Sequence, residues 1–273
     1  MIRQIKEPKG KIIVVGDIHA RFTTLCNLLD EVAKDVDIYD PDNMLVFVGD
    51  YIDRGHEHKA TLNHLIDLKT NVPNTVFIRG NHEDMFLNFI SPNIGMYGNM
   101  HAYNGGKEMY AEYMVPREYY RIRYSGECDL DSGYRDDFIA CFPKKHLDFI
   151  RETEYCVESE HFVFCHAGII PNNHVMTEYN CFFKYQEEEK PKKWYSLEDQ
   201  TTEDFTWIRE GFLGKEHKLG KTVVHGHTPC KNVYNNKEYE INVDTGAAYG
   251  KKMSAIVLEY TDKVEYKVYS VKV

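Results

Sequence analysis

Three short stretches set carboxylates, imidazoles and a carboxamide beside glycine: Gly16-Asp17-Ile18-His19, Gly49-Asp50-Tyr51-Ile52-Asp53-Arg54-Gly55 and Gly80-Asn81-His82-Glu83. Oxygen and imidazole donors in this mixture suit divalent cations. Residues two apart on an extended segment share a face, so Asp17 and His19 can hold one ion together. Asp50 can do more, because one carboxylate can bridge two cations about 3.5–4 Å apart, the spacing of two-metal hydrolysis. Asn81 adds a neutral carbonyl oxygen, and His166, His225 and His227, each near glycine, add later imidazoles. Donors gathered in this way suit the hydrolysis of phosphate esters.

These residues act together only if the fold brings them to one place. Each stretch follows an apolar, β-favouring run: Ile12 to Val15, Met44 to Val48 and Thr75 to Ile78. Intervals of 33 residues from Asp17 to Asp50 and 31 from Asp50 to Asn81 suit one strand–helix–strand unit each. Between the first two runs, Phe22, Leu25, Cys26, Leu28, Leu29, Val32 and Ala33 recur at helical spacing, as do Leu62, Leu65, Ile66 and Leu68 between the next two. Residues 11–83 therefore read as β-α-β-α-β, a parallel core that delivers the donors to one sheet edge.

The remainder is less regular. Residues 84–135 are tyrosine-rich and broken by glycine and proline, with helical pieces expected near 85–90 and 107–114. A helix over 143–151 and a strand over 161–165 follow. Residues 171–204 are polar and read as an exposed insertion or flap. The runs 222–225, 239–243, 253–259 and 263–272 read as a second, more antiparallel sheet facing the first. With no repeat or linker-like segment, one domain over 1–273 is expected, carrying 84–135 and 171–204 as insertions or cap.

Composition narrows the partners. A net charge of −10 and pI near 5.7 argue against duplex nucleic acid and acidic membrane surfaces. No apolar run reaches spanning length, and seven scattered cysteines without a Cys-x-x-Cys pair read as reduced thiols in a cytoplasmic setting. Cys165 beside His166 is no nucleophile–base pair, because neighbours on a strand point to opposite faces.

The three opening stretches, with Asn104-Gly105-Gly106, Phe164-Cys165-His166-Ala167-Gly168, Trp207-Ile208-Arg209, His225-Gly226-His227-Thr228-Pro229 and Asn242-Val243-Asp244-Thr245-Gly246-Ala247, resemble the phosphoprotein phosphatase family. These are the metal-dependent serine/threonine protein phosphatases, and the likeness is to their bacterial and phage branch, lambda phosphatase included. That branch borders the symmetrical dinucleoside tetraphosphatases. The resemblance implies an α/β fold, a metallophosphoesterase sandwich of two mixed β-sheets flanked by helices. Ala20 stands where the family has glycine; a positive φ there would carry strain of order 1 kcal/mol.

By the same resemblance, Asp17, His19 and Asp50 would hold one divalent ion, and Asp50, Asn81, His166 and His227 a second, with His225 as a neighbour. Manganese is the family expectation, with iron or zinc also compatible. A hydroxide bridging the ions would attack phosphorus, His82 would protonate the leaving alkoxide with Asp53 holding its imidazole, and Arg54, Arg209 and Asn81 would grip the phosphate. The implied substrate is a phosphorylated protein or peptide; a small nucleotide such as diadenosine tetraphosphate is the rival, and a silent phospho-binding scaffold a remote third. His56 and His58 could extend the metal site, though flanking the next helix is the simpler role. Tyrosines 97, 103, 110, 113, 119, 120, 124 and 134 either line a groove or, as the favoured reading, pack a small helical cap.

Overall fold

The computed structural model describes residues 2–92, 100–114, 132–172, 193–236, 239–260 and 263–273. Elements are numbered along these residues. The first part runs β1 (Ile2–Gln4), β2 (Ile12–Val15), α1 (Phe22–Ala33), β3 (Met44–Phe47), α2 (His58–Asn71), β4 (Thr75–Phe77) and α3 (Asn81–Phe89). Then come α4 (Gly106–Tyr113), α5 (Ser132–Cys141), α6 (Lys144–Arg151), β5 (Cys156–Glu158), β6 (Phe162–Cys165) and α7 (Thr202–Trp207). The chain closes with β7 (Thr222–His225), β8 (Tyr234–Asn236), β9 (Glu240–Asn242), β10 (Lys252–Tyr260) and β11 (Val264–Lys272).

Two mixed sheets result, in the orders β11-β10-β2-β3-β4 and β1-β5-β6-β7-β9-β8. The expected β-α-β-α-β core is present: β2 pairs parallel with β3, and β3 with β4. The C-terminal strands differ from expectation. They do not form a sheet of their own; β10 pairs antiparallel with β2 and carries β11 outside it, whereas β7 and β9 join β6 in parallel. Hydrophobic runs show which strands are buried, but not which neighbour each takes.

Strand residues alternate between two buried surfaces. Ile12, Val14, Met44 and Val46 face Val157, Phe162, Phe164, Val224 and Ile241 in the layer between the sheets. Ile13, Val15, Leu45 and Phe47 face α1 and α2 through Leu25, Leu28, Leu62 and Leu65. Burial on both faces is why these strands read as unbroken apolar runs. Outside the second sheet, Val163, Cys165 and Val223 pack on Leu197, Phe205, Ile208 and Phe212.

Leu197 of that last cluster belongs to the stretch 171–204, expected as an exposed insertion or flap. Within its described parts, Asn172, Leu197, Gln200 and Asp204 are buried; 173–192 lie outside the described residues. Of the tyrosines, Tyr110 and Tyr113 pack into the core, against Phe138 and Phe142 respectively, while Tyr103 is exposed. Tyr97, Tyr119, Tyr120 and Tyr124 lie outside the described residues, as does the side chain of Tyr134. No helix among the described residues is long and apolar enough to cross a membrane.

The sandwich places the ends of β2, β3, β4, β6, β7 and β9 along one edge. Phe164, fully buried between the sheets two residues before His166, ties that edge to the core. Phe164→Ala is expected to cost about 3–5 kcal/mol in a urea titration.

Candidate metal centre and phosphate cleft

The cleft at that edge is lined by Asp17, His19, Asp50, Arg54, Asn81, His82, Arg209, His227, Pro229, Asp244, Ala248 and Tyr249. Its loops are tightly bent. His19 (φ 49°), Ala20 (49°), Asp50 (55°), Asp53 (69°), Arg54 (64°) and His227 (64°) all adopt left-handed backbone. Each such residue costs roughly 1–2 kcal/mol. Ala20 therefore carries the strain expected of it.

Glu83 braces the turn at Asp50. Fully buried in the first turn of α3, it accepts N–H bonds from Gly80 and Asp50 (2.9 Å each) and from Tyr51 and Ile52 (2.9 and 3.3 Å). Burial and the nearby Asp50 charge push its carboxyl up to about 7, while the N–H donors favour the anion. The Asp50 carbonyl in turn accepts from Ile18 and His19 N–H, at 3.1 and 2.8 Å. Glycine is needed where a carboxylate crosses the turn: a Cβ on Gly226 would fall 2.0 Å from Asp17 Oδ1.

The predicted donors converge in two groups that share Asp50. In the first, His19 Nε2 lies 3.5 Å from Asp50 Oδ2 and 4.0 Å from Asp17 Oδ2. His19 Nδ1 donates to Ile52 O at 3.1 Å, which leaves Nε2 as the open lone pair. Burial drives this imidazole down to about 3, the neutral state a cation needs. In the second group, His166 Nδ1 donates to Val48 O at 2.8 Å. Its Nε2 sits 3.3 Å from Asp50 Oδ1, 3.1 Å from Asn81 Oδ1 and 3.2 Å from His227 Nδ1; His227 Nδ1 is 3.1 Å from Asn81 Oδ1. Atoms on neighbouring corners of an octahedron with bonds near 2.1 Å lie roughly 3 Å apart, so these spacings fit one cation among them.

The electrostatics differ between the two groups: a cation would find His19 already neutral but would have to displace a proton from His166. Burial opposes charge on His166, yet Asp50, with Asp17 behind it, pushes its pKa up to about 9. Burial, then the Asp244 and Asp50 charges, holds the Asp17 carboxyl well above the usual range, and burial pushes Asp244 up to about 6. Paired lone pairs and crowded carboxylates are the environment that divalent cations relieve.

His225 stands apart. Its Nε2 lies 3.1 Å from Glu240 Oε1 and its ring packs on Phe212, outside the cation cluster. His58 opens α2 and accepts Asp53 N–H at 3.1 Å, while His56 is exposed beside it. Cys165 and His166 do face opposite ways, Cys165 into the outer core and His166 into the cleft.

Beside the metal groups, His82 Nδ1 is 2.7 Å from Asp53 Oδ2, and its Nε2 is 3.9 Å from Asp50 Oδ2. Burial would lower the His82 pKa, but the Asp50 charge and the Asp53 hydrogen bond and charge raise it overall. Asp53 goes the other way: burial opposes its charge, and His101 and His82 hold it well below the usual carboxylate range. Arg209 Nη1 donates to His227 O and Thr228 Oγ1 at 3.0 and 3.3 Å. Arg54 Nε reaches Asn104 O at 3.4 Å, with its guanidinium 5.3 Å from the Tyr249 ring centre.

Sequence reasoning gave no role to Asp244, His101, Glu112 or Tyr249. Asp244 carries the same signal as the others, a carboxylate just past a strand and near glycine. A lone histidine in a tyrosine-rich segment carries none.

Two substitutions test this arrangement. Glu83→Gln sets an amide donor against backbone donors and should cost about 1–3 kcal/mol in chemical unfolding. Asp17→Asn should raise the melting temperature of chelator-treated protein and lower the increment that manganese adds. The sign follows from the raised pKa: Asp17 binds its proton more tightly folded than unfolded, so wild type loses stability as pH climbs above the ordinary carboxylate range. The gain from Asp17→Asn should therefore grow as pH rises above about 4.

Donors of this kind on a two-sheet sandwich define a metal-dependent phosphoric ester hydrolase. The chain belongs to the calcineurin-like phosphoesterase family, which matches residues 10–257. It is similar to the asymmetrical bis(5'-nucleosyl)-tetraphosphatase PrpE of Bacillus cereus, 23% identical over 253 residues, covering 90% of this chain and 89% of that one. Among solved structures, a candidate diadenosine tetraphosphatase superposes with a TM-score of 0.60 at 16% identity, covering 99% of this chain and 97% of the other. A Saccharomyces cerevisiae protein serine/threonine phosphatase with similarity to human PP5 gives 0.53 at 15%, covering 98% and 83%. At these identities the structural likenesses speak for the fold alone.

Proposed function

We propose that the protein hydrolyses phosphate monoesters of alkyl alcohols, with phosphoserine and phosphothreonine in proteins as its substrate class. The observation that carries this reading is the buried His82–Asp53 pair beside the cleft, 2.7 Å from Nδ1 to Oδ2. A serine or threonine alkoxide is a strong base and leaves poorly unless protonated; a phosphoanhydride departs as a stabilised anion and needs no such donor. With Nδ1 held by Asp53, His82 has Nε2 for the leaving oxygen.

Asp17, His19 and Asp50 would hold one divalent ion, and Asp50, Asn81, His166 and His227 the other. Manganese is favoured by the motif resemblance, and iron or zinc also suit nitrogen and oxygen donors. Bound cations would polarise phosphoryl oxygens and lower the pKa of water. The chain's own groups do the rest: Arg54 and Arg209 donate to the non-bridging oxygens, Asn81 adds a carboxamide, and His82 delivers a proton. Both arginines line the cleft, so a phosphate drawn in meets positive charge although the chain is acidic.

A second reading, hydrolysis of dinucleoside tetraphosphates, is favoured by the near end-to-end match to PrpE. Tyr249, 60% exposed at the cleft, also offers a ring face on which a base could stack. The silent-scaffold reading has no comparable support. Turnover of a phosphoserine peptide and of diadenosine tetraphosphate, side by side with added manganese, separates the two active readings. We expect the peptide to have the higher kcat/KM; a preference for the dinucleotide by orders of magnitude refutes the proposal. His82→Asn should lower kcat on the phosphopeptide by about 10²–10⁴-fold and change p-nitrophenyl phosphate turnover far less.

A further inference from the structure

Asp53 is held by two imidazoles, His82, which clusters with His19 and Asp50, and His101, which lies outside both metal clusters. Its side chain is fully buried, and Oδ1 has no hydrogen-bond partner among the described residues, so the aim of the carboxylate rests on Oδ2. Two imidazoles face that oxygen: His82 Nδ1 hydrogen-bonds to it at 2.7 Å, and His101 Nε2 approaches to 3.0 Å, a close ion-pair contact outside hydrogen-bond geometry. The Tyr110 hydroxyl lies 2.7 Å from the other nitrogen of His101. Donation by that hydroxyl to Nδ1 leaves the ring proton on Nε2, facing the carboxylate.

The surroundings are shaped to keep His101 there. Its ring is fully buried and packs on Phe86 and Phe89, with centroids 5.6 and 5.7 Å away. Gly106 leaves it room, since a Cβ there would lie 2.7 Å from the ring. Gly105, at φ 104°, accepts Arg54 N–H at 3.2 Å, and a Cβ on it would strike Arg54 Cγ at 2.6 Å. The backbone of Asp53 is held too. Its N–H donates to His58 Nε2, and His58 Nδ1 lies 2.8 Å from Glu112 Oε2 on α4.

We propose that His101 is a positioning residue: by fixing Asp53 Oδ2 it aims His82 Nε2 at the leaving-group oxygen. The segment from His101 to Tyr113 thereby sets how well the enzyme expels a poor leaving group. This rests on the reading of His82 as proton donor. It also assigns a task to Asn104-Gly105-Gly106, whose glycines let one segment touch both the phosphate-gripping Arg54 and the ring that steadies Asp53.

Three variants of the full chain test it, with manganese, on a phosphoserine peptide and on p-nitrophenyl phosphate, whose phenolate leaves without a proton. His101→Leu should lower kcat on the peptide by about ten- to a hundredfold and leave p-nitrophenyl phosphate within about twofold, with KM little changed on either. His101→Gln, which restores an N–H near the Nε2 position, should recover most of the loss. Tyr110→Phe, which keeps every ring in place, should show the same split more weakly and carries the test if His101→Leu does not fold. Equal losses on both substrates, or no loss on the peptide, overturn the proposal.

A second readout is independent of substrate. In the zinc-loaded protein, the low-field Nδ1 proton of His82 should shift or broaden in His101→Leu; an unmoved resonance overturns the positioning role. His82→Asn, assayed in parallel, separates the two ideas. If it shows no leaving-group preference while His101→Leu moves the Nδ1 proton, the proton-donor reading fails and the hold on Asp53 stands.

Discussion

One buried carboxylate, Asp50, is the point on which the rest of the structure depends. Its Oδ1 lies 3.3 Å from His166 Nε2 and accepts His82 N–H at 3.2 Å; its Oδ2 lies 3.5 Å from His19 Nε2. Its backbone carbonyl receives the Asp17–His19 loop and its backbone N–H goes to Glu83. Burial opposes the charge, but the His166 and His82 imidazoles hold the carboxyl well below the usual range. The loops carrying His19, His82 and His166 all reach this one group, and Asp50 itself is left-handed, at φ 55°.

The cleft buries five acids: Asp17, Asp50, Asp53, Glu83 and Asp244. Three are answered by the protein itself, Asp50 and Asp53 by imidazoles and Glu83 by backbone N–H groups. Asp17 and Asp244 are not. Asp17 accepts only the His227 N–H and Asp244 the Gly246 N–H among the described hydrogen bonds, and each raises the other's cost. Buried charge with few partners is expensive, so without a cation these two carboxyls hold their protons more tightly, and a bound cation would favour the charged forms.

Much of this was legible in the residues. Unbroken apolar runs gave the strands of the parallel core, because burial on both faces leaves no polar alternation. Glycine-flanked donors after apolar runs gave Asp17, His19, Asp50, Asn81 and His166, and the motif resemblance chose His227 over His225; the fold brings all six together. Between His225 and His227, alternation could not choose, because residues two apart on a strand share a face. The strand ends at His225, and the left-handed backbone at His227 (φ 64°) turns the two imidazoles apart, leaving His225 on Glu240 and Phe212. Pairing partners were not legible either, since β10 is equally apolar whichever sheet receives it. His101 stayed hidden because its role comes from a ring contact and two glycines that only tertiary structure brings together. Leu197 sat in a stretch whose polar average concealed it.

The pairing of β10 with β2 has a kinetic consequence. Val15 lies opposite Ala255, so the sheet that presents Asp17 is closed by a strand some 240 residues later, and β1 waits similarly for β5. On the ribosome, the acidic loops of the first third emerge long before the strand that completes their sheet and the histidines of β6 and β7. Such a chain spends its early life with an open apolar edge on β2 and unpaired carboxylates beside it, a combination that slows closure. Cations that bridge early and late donors would act as assembly factors as well as reagents, drawing the last-made part of the protein onto the first.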